Sequence, residues 1–279
     1  MPELPEVETV CRGLAKALTG AKIVKADAHR PDLRFPLPKN LGARLKGRRV
    51  EDIKRRAKYI LITLDEGKTL VLHLGMSGRM VISRKAAKPE KHDHLVFSFS
   101  NGTFVHFNDP RRFGMCDLVA TKDLEKYKLF RHLGIEPLGD DLTLAFLVAK
   151  LKGKKTSIKA ALLDQRIVVG VGNIYASEAL FYAGINPKRL AGKCTSAQIA
   201  KLVPAIRKVL NAAIKAGGSS LRDYVQADGE LGYFQHHFAV YDREGEACKT
   251  CNCDVKETGG IKRITQAGRS SFYCARKQM

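Results

Sequence analysis

No stretch of the sequence approaches the ~20 apolar residues that a membrane-spanning helix needs, so an integral helical membrane protein is excluded and no membrane partner is expected. The opening residues, MPELPEVETV, are acidic and lack the basic-then-apolar order of an export signal, so the expected location is cytoplasmic. There is no internal repeat and no low-complexity segment. Acidic side chains are in short supply: 28 Asp and Glu stand against 49 Lys and Arg, a net charge of +21. A chain this basic commonly meets a polyanion, and nucleic acid is the commonest one. The bland alternative is a generally basic protein without such a partner. Hydrophobic residues make up 44% of the 279, which supports a proper core in two modest domains or one large one. The seven cysteines are an odd number, and four of them (Cys248, Cys251, Cys253, Cys274) lie near the C-terminus. In a reducing compartment such a cluster suggests metal before disulfides.

The hydrophobic period changes along the chain. Pro5 suits a first helical turn, Glu3, Glu6 and Glu8 favour its positive end, and Val7, Val10, Cys11, Leu14 and Leu18 recur at helical spacing up to Gly20. YILITL and TLVLHL, either side of a DEGK turn, then read as a hairpin. HLVFSFS and TFVHF flank Asn101-Gly102 and read as another. HLGIEPLGDD is a plausible hinge. After it, TSIKAALLDQRIVVG, NIYASEALFYAG and residues 195–216 read as helical, the last opening with a Thr195/Gln198 capping box. The expected division is a β domain with a leading helix over 1–130, a linker over 131–150, a helical domain over 151–237 and a short basic, Cys-bearing end over 238–279.

Pro2 is the first candidate for chemistry. Methionine is normally clipped before a small residue such as proline, which would expose a secondary amine at the start of a helix. A free α-amino group has a pKa of about 7.7–8.0, far below that of lysine, and the helix dipole lowers it further. A neutral amine can attack a sugar C1′ and form a Schiff base, and Glu3 beside it can shuttle protons. With Met1 attached, Pro2 is an amide and cannot attack. The alternative is an ordinary Pro/Glu helix start.

MPELPEVETV resembles the N-terminus of bacterial formamidopyrimidine-DNA glycosylases. KRRAKYI, HLGMSG, KHDH, NDPRRFG, KKTSIK, GVGNIYASEALF and AGRSSFYC also resemble family segments, in family order and over essentially the whole chain. The resemblance implies an α+β protein: an N-terminal β-sandwich with a leading helix, a helix–two-turns–helix domain and a C-terminal zinc-finger-like β-hairpin, with duplex DNA lying between the domains. It implies a bifunctional glycosylase and abasic-site lyase that flips the damaged nucleotide out of the stack, excises oxidised purines such as 8-oxoguanine and formamidopyrimidines, and cuts by β,δ-elimination. It assigns Pro2 as nucleophile, Glu3 as acid–base partner, Lys58 to proton transfer and Arg269 to phosphate gripping and δ-elimination. Lys58 follows Lys54, Arg55 and Arg56, cations that favour its neutral form; a solvated basic surface is the alternative.

His73, His92, Lys154 and Asn173 match family DNA contacts. Met76, Arg111 and Phe113 match the trio that fills the gap left by the flipped nucleotide, and the arginine favours an orphaned cytosine. Without the resemblance, the histidines would read as structural, Met76 and Phe113 as core, and Asn173 as a helix cap. Residues 219–232 match a loop over the flipped base. The expected partner is double-stranded DNA carrying oxidised purines or abasic sites, met by a monomer in the bacterial cytosol.

The finger departs from the family pattern. Relatives carry two Cys-x2-Cys pairs as a four-thiolate zinc site; here Cys248, Cys251 and Cys274 fit, but Lys277 stands where the fourth cysteine belongs. Either Cys253 completes an irregular zinc site, or the metal is lost and packing holds the hairpin, as in zinc-free relatives of the superfamily. Lysine is a poor ligand because it stays protonated at neutral pH. Three rival functions remain: an endonuclease VIII-type enzyme for oxidised pyrimidines, a non-catalytic damage sensor, and a zinc-ribbon RNA binder. Leu4, Arg111 and Phe113 side with the purine enzyme; an intact Pro2, Glu3 and Lys58 argue against a sensor; the long N-terminal domain disfavours the ribbon.

Overall fold

Helix α1 (Leu4–Leu18) forms where the apolar spacing predicts it. Its Val7, Val10, Cys11, Leu14 and Leu18 are all buried, each apolar side chain being worth about 1.5–3 kcal/mol relative to exposure. Glu3 caps the helix in a reciprocal box with Glu6, and Gly20 turns the chain away at φ +84°. The structure, a computed structural model, describes residues 2–86, 88–220, 227, 230–251 and 254–279.

Two four-stranded antiparallel sheets follow. One has the order β1-β6-β7-β5, formed by β1 (Ile23–Ala28), β6 (Asp93–Phe99), β7 (Phe104–Asn108) and β5 (Arg79–Ser83). The other has the order β2-β3-β4-β8, formed by β2 (Val50–Arg56), β3 (Tyr59–Leu64), β4 (Lys68–His73) and β8 (Met115–Ala120). A short helix α2 (Leu41–Leu45) joins β1 to β2. Both expected hairpins are present, as β3–β4 and β6–β7. One apolar cluster takes Ile23, Phe97, Val105 and Phe107 from the first sheet, Ile53, Ile62, Leu70 and Leu118 from the second, and the inner face of α1. That shared core makes the pair a sandwich.

The chain crosses between the sheets three times, at β1–β2, β4–β5 and β7–β8, and the last two crossings join neighbouring strands. The β4–β5 crossover is the turn 74–78, and the β7–β8 crossover is the loop 109–114. His73 pairs with Met115 and Arg79 with Asn108, so the two crossovers leave the sandwich side by side.

The helical part contains α3 (Leu144–Leu151), α4 (Ile158–Leu163), α5 (Asn173–Ala183) and α6 (Ser196–Lys215). Ahead of α6 the Thr195/Gln198 box closes with bonds of 3.1 and 3.2 Å. The helical run expected over 156–170 is shorter in fact. It stops at Leu163, and Val168 instead bridges Ile135 in parallel. The β-branched stretch IVV favours extended pairing over a helix, and the Gln165 side chain closes the turn on Gly170 N–H at 2.8 Å and Val171 C=O at 3.1 Å. A four-residue helix α7 (Val255–Thr258) precedes the hairpin β9 (Lys262–Gln266)–β10 (Arg269–Tyr273). The hairpin turns through Ala267 and Gly268, both at positive φ, as the right-handed strand twist prefers.

The chain forms two compact units. One contains 1–131 and 214–235; the other contains 132–213 and 236–279. No helix among the described residues is long and apolar enough to cross a membrane.

Candidate active site

The N-terminal turn of α1 carries the first candidates. Pro2 is buried, and Glu3 is only 4% exposed. Glu6 holds the segment from below: its Oε2 accepts the Glu3 N–H at 2.8 Å and its Oε1 accepts the Ser219 N–H at 2.8 Å. A glutamate that reads from sequence as a dipole partner thus clasps two distant pieces of one unit.

Lys58 sits in the two-residue turn between β2 and β3 and is buried. Its neighbour Ala57 takes a left-handed conformation at φ +54°, which costs a non-glycine residue roughly 1 kcal/mol. The Ala57 carbonyl accepts from Arg55 Nη1 at 3.0 Å, and Arg55 Nε donates to Glu8 on α1 at 3.0 Å. The helix that follows Pro2 and the turn that carries Lys58 are therefore braced by one ion pair.

His73 ends β4, its ring 4.8 Å from that of Tyr59. Its Nδ1 accepts the Gly75 N–H at 2.9 Å, so the neutral ring carries its proton on Nε2. Burial, with Lys58 and Arg34 nearby, pushes its pKa down to about 4. His73 is thus a neutral donor at physiological pH.

Met76 and Phe113 are not core residues: they are 37% and 45% exposed, one on each crossover. Arg111, also exposed, stacks its guanidinium 5.0 Å above the Phe113 ring. Gly75 explains why the crossovers stay together. At φ +64°, a Cβ there would lie 2.4 Å from the Phe113 carbonyl carbon, so the two backbones touch at a point only glycine permits. His92 lies just ahead of β6, half-buried, its ring 6.4 Å from that of His94.

The second unit carries the remaining candidates. Lys154 is half-buried in the loop between α3 and α4. Asn173 opens α5, and its Nδ2 donates to the Ser270 carbonyl at 3.0 Å and to Tyr241 Oη at 3.4 Å. Arg269 is exposed at the first position of β10. Lys159, only 1% exposed, donates to the Ser270 carbonyl and to Ser271 Oγ, both at 2.8 Å. The residue next to Arg269 is therefore held by two helices. Lys159 falls within the family-like segment KKTSIK, yet nothing in its local sequence distinguishes it from a surface lysine. Glu178 was equally hidden: fully buried on α5, it accepts the Ala239, Val240 and Tyr241 N–H groups at 2.8–2.9 Å. Burial raises its pKa, with those bonds working the other way.

Cys248, Cys251 and Cys274 converge, their sulfurs all within 4.8 Å of one another. Thiolates around a tetrahedral zinc at about 2.3 Å would stand ~3.8 Å apart, so the three fit one ion. Burial raises the Cys248 thiol, but hydrogen bonds from Thr250, Cys251 and Cys274 outweigh it and bring it to about 7. Lys277 does not join them. Its Nζ donates to Thr250 Oγ1 at 2.8 Å and lies 4.1 Å from the Phe181 ring centroid. Cys253, and residues 221–226, 228 and 229 of the expected loop, lie outside the described residues.

The chain is similar to known proteins over its full length. Residues 1–116 match the model of the formamidopyrimidine-DNA glycosylase N-terminal domain, and 133–225 match that of the formamidopyrimidine-DNA glycosylase H2TH domain. The chain is 57% identical to the formamidopyrimidine-DNA glycosylase of Ruegeria pomeroyi, with 100% of each chain covered, and 57% identical to that of Roseobacter denitrificans over the same share. Among solved structures it is similar to a mutant Lactococcus lactis Fpg bound to DNA containing Fapy-dG, at TM-score 0.90 and 34% identity over 99% of each chain. It is also similar to the MutM (Fpg) protein of Thermus thermophilus, at TM-score 0.86 and 37% identity over 99% of this chain and 98% of that one. The chain belongs to the formamidopyrimidine-DNA glycosylase family.

Proposed function

We propose that this chain removes oxidised purines, 8-oxoguanine and formamidopyrimidines, from duplex DNA and cuts the resulting abasic site by β,δ-elimination, with Pro2 as nucleophile. The observation that carries the reading is a proline buried at the positive end of α1, at the head of a chain that aligns over its full length with glycosylases of this family. Once Met1 is removed, the Pro2 amine attacks C1′ of the flipped nucleotide and displaces the base by breaking its C1′–N bond; the C1′–O4′ bond then opens, O4′ taking up a proton, and leaves an iminium between C1′ and the Pro2 nitrogen. Glu3 carries protons at the sugar. Lys58, buried beside the half-buried His73, exchanges a proton with the departing base. The iminium acidifies C2′, and β-elimination followed by δ-elimination, with Arg269 on the phosphate, releases the sugar. His73, His92, Lys154 and Asn173 grip the phosphate backbone, and Met76, Arg111 and Phe113 fill the gap. The location follows the substrate, on DNA in the cytosol.

Zinc is the ion we assign to the finger. Cys248, Cys251 and Cys274 would hold it, and Cys253, two positions after Cys251 in the sequence, is our candidate for the fourth ligand. Bound there it supplies a cross-link, not chemistry. Elemental analysis of the purified chain should find one zinc per molecule, lost in Cys274→Ser and retained in Lys277→Ala. A metal-free wild-type protein with an intact fold would end that assignment.

The purine reading is separated from its pyrimidine rival by lesion choice. Excision of 8-oxoguanine opposite cytosine should exceed that of thymine glycol, and Lys58→Ala should slow 8-oxoguanine removal by about 100-fold while cutting a preformed abasic site much less. Equal losses on both substrates would remove Lys58 from base departure, and a preference for thymine glycol would favour the rival.

A further inference from the structure

We propose that Asp109 is the positioning residue that sets Met76, Arg111 and Phe113 in register and, through Arg111, fixes which base is accepted opposite the lesion. The inference deepens the gap-filling reading above and rests on it. Asp109 is fully buried at the root of the β7–β8 crossover. Its Oδ1 accepts from Ser77 Oγ at 2.7 Å, on the other crossover, and its Oδ2 accepts the Gly114 N–H at 2.7 Å. Its backbone completes the junction. The carbonyl accepts from His94 Nε2 at 2.8 Å and from the Arg112 N–H at 3.2 Å, and the amide donates to the His92 carbonyl at 3.0 Å. Ser77 Oγ in turn accepts the Arg111 N–H at 3.2 Å.

Met76, Arg111 and Phe113 therefore each stand next to, or on, a residue bonded to this carboxylate or to its serine. A carboxylate suits the place because two donors converge on it from different loops, and it alone among side chains of this size accepts at both oxygens. Asparagine has the same shape but must present an N–H₂ group to one of those donors.

The consequence reaches the opposite base because arginine has donors only. The pairing edge of cytosine offers two adjacent acceptors, whereas that of adenine offers one acceptor beside a donor. A guanidinium held in a fixed place distinguishes them, and one free to wander does so less well. A merely structural Asp109 predicts a uniform loss of rate; a positioning Asp109 predicts a loss of discrimination.

The test uses the full chain with Met1 removed. It compares single-turnover excision of 8-oxoguanine opposite cytosine and opposite adenine in wild type, Asp109→Asn, Ser77→Ala, Arg111→Ala and the Asp109→Asn/Arg111→Ala pair. The cytosine preference should fall by about tenfold or more in Asp109→Asn and Ser77→Ala, and the pair should show the same preference as Arg111→Ala alone. Should Asp109→Asn not fold, Ser77→Ala carries the same test, since it keeps the carboxylate and the Gly114 bond. Rates lowered equally on both duplexes, with the preference intact, would overturn the proposal. A wild-type preference that survives in Arg111→Ala would instead overturn the gap-filling reading beneath it.

Discussion

His73 Nδ1 accepts a backbone N–H from the turn that presents Met76, so protonating that nitrogen would set a donor against a donor. The consequence for stability has a definite sign. A histidine whose pKa is depressed in the fold contributes stability that is present above its unfolded value, about 6.5, and is lost as pH falls towards the folded value of about 4. Melting followed from pH 7 to pH 4 should cost wild type about 2–3 kcal/mol more than His73→Gln; parallel curves would mean that the ring is not held as a neutral donor. The candidates proposed to bear chemistry, Pro2, Lys58 and Arg269, were legible in the sequence because they stand in recognisable segments. The residues that hold them were not. Glu6 meets Ser219 across 213 positions and Lys159 meets Ser270 across 111. A buried polar partner at that range leaves no local pattern, since burial and pairing are created by the fold itself.

At the level of elements, the hairpins and long helices followed from period and turn chemistry. The exception occurred where tertiary pairing overrode local preference. The apolar run after α4 left the helix to bridge Ile135, whereas Asn101-Gly102 formed the hairpin expected of it, with Gly102 at positive φ. The β9–β10 hairpin is the element on which Arg269 depends. Its strands were readable, but its anchorage was not. Lys159→Met keeps the volume and removes the ammonium, leaving acceptors of Ser270 and Ser271 short of a donor at a cost of roughly 1–3 kcal/mol. Product analysis on an abasic duplex should then move from the β,δ product towards the β product, as the tip proposed to grip phosphate loosens. An unchanged product ratio in a destabilised variant would mean that Lys159 supports the unit without positioning Arg269.

Across the whole molecule, the sequence shows a change from strand to helix near residue 131 but not the return of 214–235 to the first unit. That return brings Ser219 to Glu6 and so reaches the segment holding Pro2. The finger illustrates the opposite limit: spacing alone left open whether Cys253 completes a zinc site or the metal is lost, and packing shows Lys277, the residue in the fourth cysteine's place, engaged with Thr250 and Phe181. The central claim is that a basic two-unit chain of this family attacks DNA with its own N-terminal amine. The most direct test is borohydride trapping on a duplex with 8-oxoguanine opposite cytosine, using protein whose N-terminus has been verified by mass spectrometry. A covalent adduct mapping to Pro2 is the predicted result. An adduct mapping to a lysine, or none from protein with a free N-terminal proline and intact DNA binding, would contradict it.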